Sequence, residues 1–251
     1  MDINDAWKNT CRVIFGEEIG DLDEFSDYLT KYVEPIYEKK SCISGKPTVI
    51  SSPFPERARF ISNDETDEYN RMMENLKLDI NEIKDIDSIL GALKDKLYYS
   101  GNIVVGNSRN VQNSDSCGNV SFVYKSIEIY DSKYVAYSSF RRFDEFVFGS
   151  TLGGESKFVI KGFGNYRNRR CMGTLRTFTS SDCYYTANLE DCTNCMFSFN
   201  QKSKHNLIGN LQLPPDEYSE LKNKLIREMR DTLKEKKEIP TIVEVLGGGD
   251  E

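Results

Sequence analysis

Between Val111 and Leu207 the chain returns to a valine-like residue again and again. These residues are Val111, Val123, Val135, Val147, Val159, Met172, Tyr185, Met196 and Leu207, at intervals of 12, 12, 12, 12, 13, 13, 11 and 11. The residue just before is often aromatic, as at Phe122, Tyr134, Phe146, Phe158 and Tyr184. A period held this long is the signature of stacked structural units. Each unit is too small to bury its own apolar side, so successive coils must stack at about 4.8 Å and share one continuous core. Twelve residues make two short strands and two turns, a flattened coil, or half of a coil of about 24. An antiparallel β-sandwich with flanking helices is the competing arrangement, because it also spaces short strands at about 8 to 12 residues.

The flanks are helical in pattern. Ile3, Trp7, Cys11 and Ile14 form one apolar stripe, and Leu22, Phe25, Leu29, Val33 and Ile36 form a second, opened by the capping pair Asp21 and Glu24 and closed by Pro35. Prolines from Pro47 to Pro55 predict an extended stretch with edge strands at most over Thr48–Ser51 and Ala58–Ile61. Helix is expected again over Glu65–Asn75, with Leu76 on its apolar side, and over Asp87–Tyr98. After LPPDEY, Pro215 suits a first helical position, and Tyr218, Leu221, Leu225, Met229 and Leu233 share one stripe. The expected fold class is α+β, with a mainly helical N-terminal domain (1–100), a central β-solenoid (101–213) and a capping helix (214–238). An extended, flexible tail (239–251) follows. The helices serve to cover the open ends of the stack.

Composition narrows the function classes. The chain has 251 residues, 38% of them apolar, enough for a substantial core. Its apolar runs fall short of the ~20 residues that cross a bilayer, and MDINDAWKNT lacks the basic and apolar segments of a secretory leader. Seven cysteines, an odd count, fit a reducing cytoplasm. A formal net charge of -7 argues against nucleic-acid binding by the whole surface. His205 is the single histidine, so no histidine-based triad can be assembled. GFGNYRN lacks the third glycine of a dinucleotide loop. Asp131, Asp144 and Glu155 recur near the repeat period and would line one face of a carbohydrate-active solenoid, although such residues more often serve turns.

The stretch DCTNCMFSFNQKSKHNLIGNLQLPPDEYSEL resembles the terminal module of uncharacterised prokaryotic Cys/Tyr-rich repeat proteins. The matching positions are Cys192, Cys195, Lys202, Lys204, Ile208, Asn210, Glu217 and Tyr218, with Ser198 where that pattern carries a further cysteine. The resemblance implies a repeat fold and supplies no function.

Two constellations carry chemistry. Cys192 and Cys195 form a C-x-x-C, which with Cys183 gives the metal expectation, zinc, and with Cys171 and His205 as further ligand candidates. Redox use is a second reading, and Cys171, Cys183 and Cys195 at a spacing of twelve also read as stacked core thiols. The second constellation is basic. Lys157, Lys161, Arg167, Arg169, Arg170 and Arg176 occur with no acid between Ser156 and Ser181, and Arg141 and Arg142 extend the patch if coils stack in register. Phe163 and Tyr166 add stacking faces, and arginines suit phosphate or carboxylate. The leading expectation is a noncatalytic cytoplasmic scaffold that presents a repetitive face to a protein partner. Nucleic-acid or other polyanion binding by the same segment is the alternative, a carbohydrate-active or thiol-redox enzyme the third, and pairing of the basic run with the acidic N-terminal region the plain structural account.

Overall fold

In a computed structural model, residues 1–53, 56–74, 77–94 and 96–247 are described. Twelve residues make one complete coil. Val123 pairs in parallel with Val135, Val135 with Val147, Val147 with Val159, and Val159 with Cys171. The column continues through Cys183, Cys195 and Leu207. A second parallel sheet runs along the opposite side of the coils, with Ile127 beside Ser139 and Ser139 beside Thr151. The sandwich alternative fails on this register, since coil follows coil in parallel and the antiparallel pair in this sheet is the closing one, Leu207 with Gln212. Phe122, Tyr134, Phe146 and Phe158 stack as a ladder, with ring centroids 5.0, 4.8 and 4.8 Å apart.

The period is therefore strict, and the drift read from the sequence after Val159 is corrected. Cysteines take the valine position at 171, 183 and 195, while Met172, Tyr184 and Met196 occupy the next position and pack under the helices. Within each coil the unit is a triplet. From Asn110 to Gly209 every third residue has a positive φ, and most are not glycine. Such residues are uncommon in the left-handed region, so the coil is held by its neighbours rather than by local preference. One residue in three is buried inside, as at Ser132, Val135, Ser138, Arg141 and Asp144. The coil thus has four short sides.

Corner hydroxyls explain how so tight a coil satisfies its backbone. Ser114, Ser126, Ser138 and Ser150 stand above one another. Each accepts the N–H of the equivalent residue one coil later, from Ser126, Ser138, Ser150 and Gly162, at 3.1, 3.1, 3.1 and 2.9 Å. Ser126, Ser138 and Ser150 also donate to the carbonyls two residues back. The left-handed residue just before each of Ser126, Ser138 and Ser150 bonds a carbonyl one coil back, so the N–H left over is the serine's own, and a side-chain acceptor one coil earlier spares the cost of burying it unpaired.

The helix α1 (Ile3–Phe15), capped by Asp2 and Asp5, lies along the solenoid against strands from Ser121 to Arg169. Its 13 residues reach about 20 Å, and four coil steps rise about 19 Å, so one helix covers five coils. Trp7 is fully buried between Phe25 and Phe148, both at 5.3 Å, and donates Nε1–H to the Gly20 carbonyl at 3.1 Å.

The second apolar stripe gives less helix than expected. A 3-10 turn (Leu22–Phe25) leads into α2 (Ser26–Thr30), which stops well before Pro35. Tertiary contact sets that end: Lys161 from the solenoid donates to the carbonyls of Leu29 and Lys31 at 3.3 and 2.5 Å. The stretch before residue 101 also carries strands. Tyr37–Lys40 pairs with Pro47–Ile50, and Phe60–Ser62 with Tyr99–Gly101, beside α3 (Thr66–Met73) and α4 (Ile86–Lys94). Asn75 and Leu76 of the expected helix lie outside the described residues, as do Pro55 and Gly248–Glu251.

At the far end α5 (Pro215–Lys236) buries Tyr218, Met229 and Leu233 as its stripe requires. The segment after it is not extended. It forms α6 (Ile242–Gly247), started by Thr241 and Glu244, whose side chains and backbone N–H groups bond reciprocally at 2.6 and 3.3 Å. That T-x-x-E signature was legible and outweighs the glycines behind it. Among the described residues no helix is long and apolar enough to cross a membrane.

Candidate functional site

The basic segment does not form one patch; the coil geometry sends its members to four places. Arg141 points inside. Its Nε and Nη2 meet Asp144 at 2.6 and 3.2 Å, with both side chains at 0% exposure. Burial pushes the Asp144 carboxyl up, against the pull of the guanidinium and of the Ser156 N–H at 2.9 Å. Arg141 Nη1 has no partner among the described residues. It fits because the next coil carries Gly153, where a Cβ would stand 2.6 Å from that nitrogen and 1.8 Å from the Asn165 carbonyl oxygen. Arg141 is thus withdrawn from any contact surface.

Lys161 and Phe163 are also buried, beneath the N-terminal segment. The ammonium sits 5.3 Å from the Tyr28 ring and 5.1 Å from Phe163, and Tyr32 packs edge-on against Phe163. Burial pushes Lys161 down to about 7, with Lys31 repelling and Glu244 opposing the fall. Unfolded, the lysine keeps its proton up to about 10.5. The folded protein therefore gains stability as pH rises from about 7 toward 10.5 and loses it over the same window as pH falls. Between pH 7 and pH 9 the parent is expected to gain about 2 kcal/mol from this group, a gain absent from Lys161→Met. Urea unfolding of both proteins across that window checks it, and parallel pH profiles would refute it.

Arg167 and Arg170 are exposed but engaged. Arg167 pairs with Glu155 at 2.7 Å, and Arg170 grips Asp182 at 2.8 and 2.6 Å. Each partner stands twelve residues away, one coil along. Lys157, Arg167 and Arg170 of the acid-free stretch thus pair with acids of neighbouring coils, not with the N-terminal region, whose own cations pair locally as Lys8–Asp21 and Arg12–Glu18. Arg142, Arg169 and Arg176 make no ion pair among the described residues, and Arg169 lies apart from the other two, which stand beside Phe143 and Phe178. Arg142 stacks over Tyr130 at 4.9 Å, while Arg169 stands in the sheet that carries the aromatic ladder, next to Lys157. Asp131, Asp144 and Glu155 do not share a face either, since Asp144 is interior.

What the structure gathers instead is an exposed aromatic ridge. Phe140, Phe143, Leu152, Tyr166 and Phe178 are 41, 60, 58, 38 and 42% exposed along one edge of the solenoid. Tyr130, Arg142, Gly154, Tyr166 and Phe178 follow one another in register. At Gly154 a rung is missing, because a Cβ there would lie 2.2 Å from the Arg142 carbonyl oxygen. The gap opens a cleft of about 360 Å³ between Arg142 with Phe143 on one side and Tyr166 on the other. Of the residues singled out in the sequence, Arg142, Tyr166, Arg167 and Arg176 border this edge. The apolar members were missed, though each stands at an outward place of the triplet, a signal legible only once the triplet is known.

The cysteines are interior. Cys171, Cys183 and Cys195 run in one column, and Cys192 lies one inward position earlier on the last of these coils. Each Sγ faces the carbonyl two residues back, at 3.3, 3.3, 3.6 and 3.3 Å for Cys171, Cys183, Cys195 and Cys192. Here the thiols do what serine hydroxyls do at the corners. Neighbouring thiols and burial raise Cys183, while hydrogen bonding from Cys183 lowers Cys195. A line of thiols stacks sulfur on sulfur, whereas zinc needs four ligands around a centre. Among the described residues no three of His, Cys, Asp and Glu gather to hold an ion. His205 is exposed, beside Gln212.

No protein-family model matches the chain, and no curated protein matches it.

Proposed function

We propose that the protein is a noncatalytic scaffold that docks a protein partner along the aromatic ridge. The observation that carries this reading is the run of five large apolar side chains, each more than a third exposed, beside a stacked arginine. Contiguous exposed apolar surface of this kind marks interaction sites, and Phe, Tyr and Arg are the residues that dominate interface cores. A rigid, in-register support holds them at fixed spacing, so little side-chain freedom is lost on binding. The polyanion alternative is weaker because Arg141 is interior and Arg167 and Arg170 are already paired, which leaves Arg142 and Arg176 as the unpaired arginines at the ridge among the described residues.

The test is capture of a crosslinked partner by the full chain, compared with Phe143→Ser/Tyr166→Ser/Phe178→Ser. The variant is expected to lose capture at least tenfold with an unchanged melting temperature. Capture should persist between 50 and 200 mM salt, where a binder making several phosphate contacts loses orders of magnitude. Equal capture by the variant, or steeply salt-dependent retention of RNA or DNA, would overturn the reading.

A further inference from the structure

A second surface is independent of the ridge. Between α5, the segment at Ile239–Pro240, α6 and the last coils lies a groove of about 650 Å³. Tyr185, Ala187 and Phe199 of the solenoid form one wall, and Leu225, Met229 and Ile242 of the helices form the other. Glu228 is the one charged residue among the described residues that line it. Its carboxylate is mostly exposed, and its ion pair, to Lys224, is a loose 3.9 Å. Apart from Lys224, which keeps only that loose contact, Lys31 pairs with Glu244, and Lys161 is spent on the Leu29 and Lys31 carbonyls.

We infer that this groove binds a small aliphatic molecule with a cationic head, its chain lying between the last coils and the C-terminal helices and its head at Glu228. The volume falls in the range of small-molecule sites, about 300 to 1,000 Å³. A stable protein interface draws about 800 Å² from each partner, more than one such groove presents. Charge complementarity sets the head group. Among the described residues the lining offers a carboxylate and no cation, so a fatty acid would bring like charge to Glu228 where an alkylamine brings the opposite one.

The probes are dodecylamine and dodecanoate, titrated calorimetrically into the full chain at pH 7.5 and low salt. The amine is expected to bind saturably and about tenfold more tightly, since attraction for one head and repulsion for the other each contribute a surface-pair increment. Glu228→Gln should bring the two affinities to within about threefold. Ala187→Phe fills the groove and fits its column, whose neighbouring rungs are Leu175 and Phe199. It should weaken amine binding at least tenfold at an unchanged melting temperature. The proposal is overturned if neither probe binds saturably, if dodecanoate binds as tightly as the amine, or if a folded Ala187→Phe binds the amine like the parent. Should Ala187→Phe unfold, the outcome rests on the Glu228→Gln ratio, and a ratio unchanged from the parent overturns the proposal.

Discussion

Asp144→Ala is expected to cost about 3 to 5 kcal/mol of stability, because it strands a fully buried guanidinium. Among the described residues Arg141 has no other carboxylate at hand, and one of its nitrogens is unpartnered even in the intact protein. The same change removes the acceptor of the Ser156 N–H one coil on. The loss belongs to the broken pair, not to the pair's net worth, and the preceding coil shows how to separate the two. There the same columns hold Ile129 and Ser132. Arg141→Ile combined with Asp144→Ser should therefore recover most of the stability, since replacing a buried pair with packed apolar groups is often neutral or better. Urea unfolding of the three proteins is the measurement. A loss under about 1 kcal/mol in Asp144→Ala would mean that water already reaches the guanidinium.

Trp7→Ala is expected to cost a similar amount, about 3 to 5 kcal/mol for a fully buried large aromatic. Its ring is the contact between α1 and Phe148, and its N–H holds the Gly20 carbonyl that positions the following turn. A second consequence should be visible by light scattering. Phe148, Ile160 and Met172 share the face that α1 covers. Loosening the helix uncovers a strip of apolar rungs, and the variant should self-associate at concentrations where the parent does not. An unchanged scattering mass together with the stability loss would show that α2 and α5 cover that strip unaided.

The period announced the solenoid from the sequence because a twelve-residue unit cannot close a core alone. Whether twelve was a full coil was hidden, since that depends on corners, and corners here are built mainly from residues without the usual glycine mark: Phe, Tyr, Lys, Asn and Asp all take the left-handed place. The slip to Met172, Tyr185 and Met196 has a plain cause. Large apolar residues look like interior, and Met172 and Met196 are indeed buried, but in the layer under the helices, while the narrower interior of the coil takes cysteine.

The site was less legible than the fold because a charge run counts ions without showing partners. Arg141 carried a readable clue, Asp144 three residues on and Gly153 one coil on. Lys161 carried none, since what buries it lies some 130 residues earlier in the chain. The early end of α2 was hidden for the same reason.

The fit of α1 against the coils limits how this molecule can evolve. Helical turns advance about 5.4 Å and coils about 4.8 Å, two rulers of unlike graduation that agree over one short span only. Duplicating or excising a twelve-residue block between Ser121 and Phe178 would shift every later mark against Ile3, Trp7 and Ile14 at once. Lineages of this chain should therefore keep that stretch constant in length, and a copy-number change that spares the helix has room only outside it.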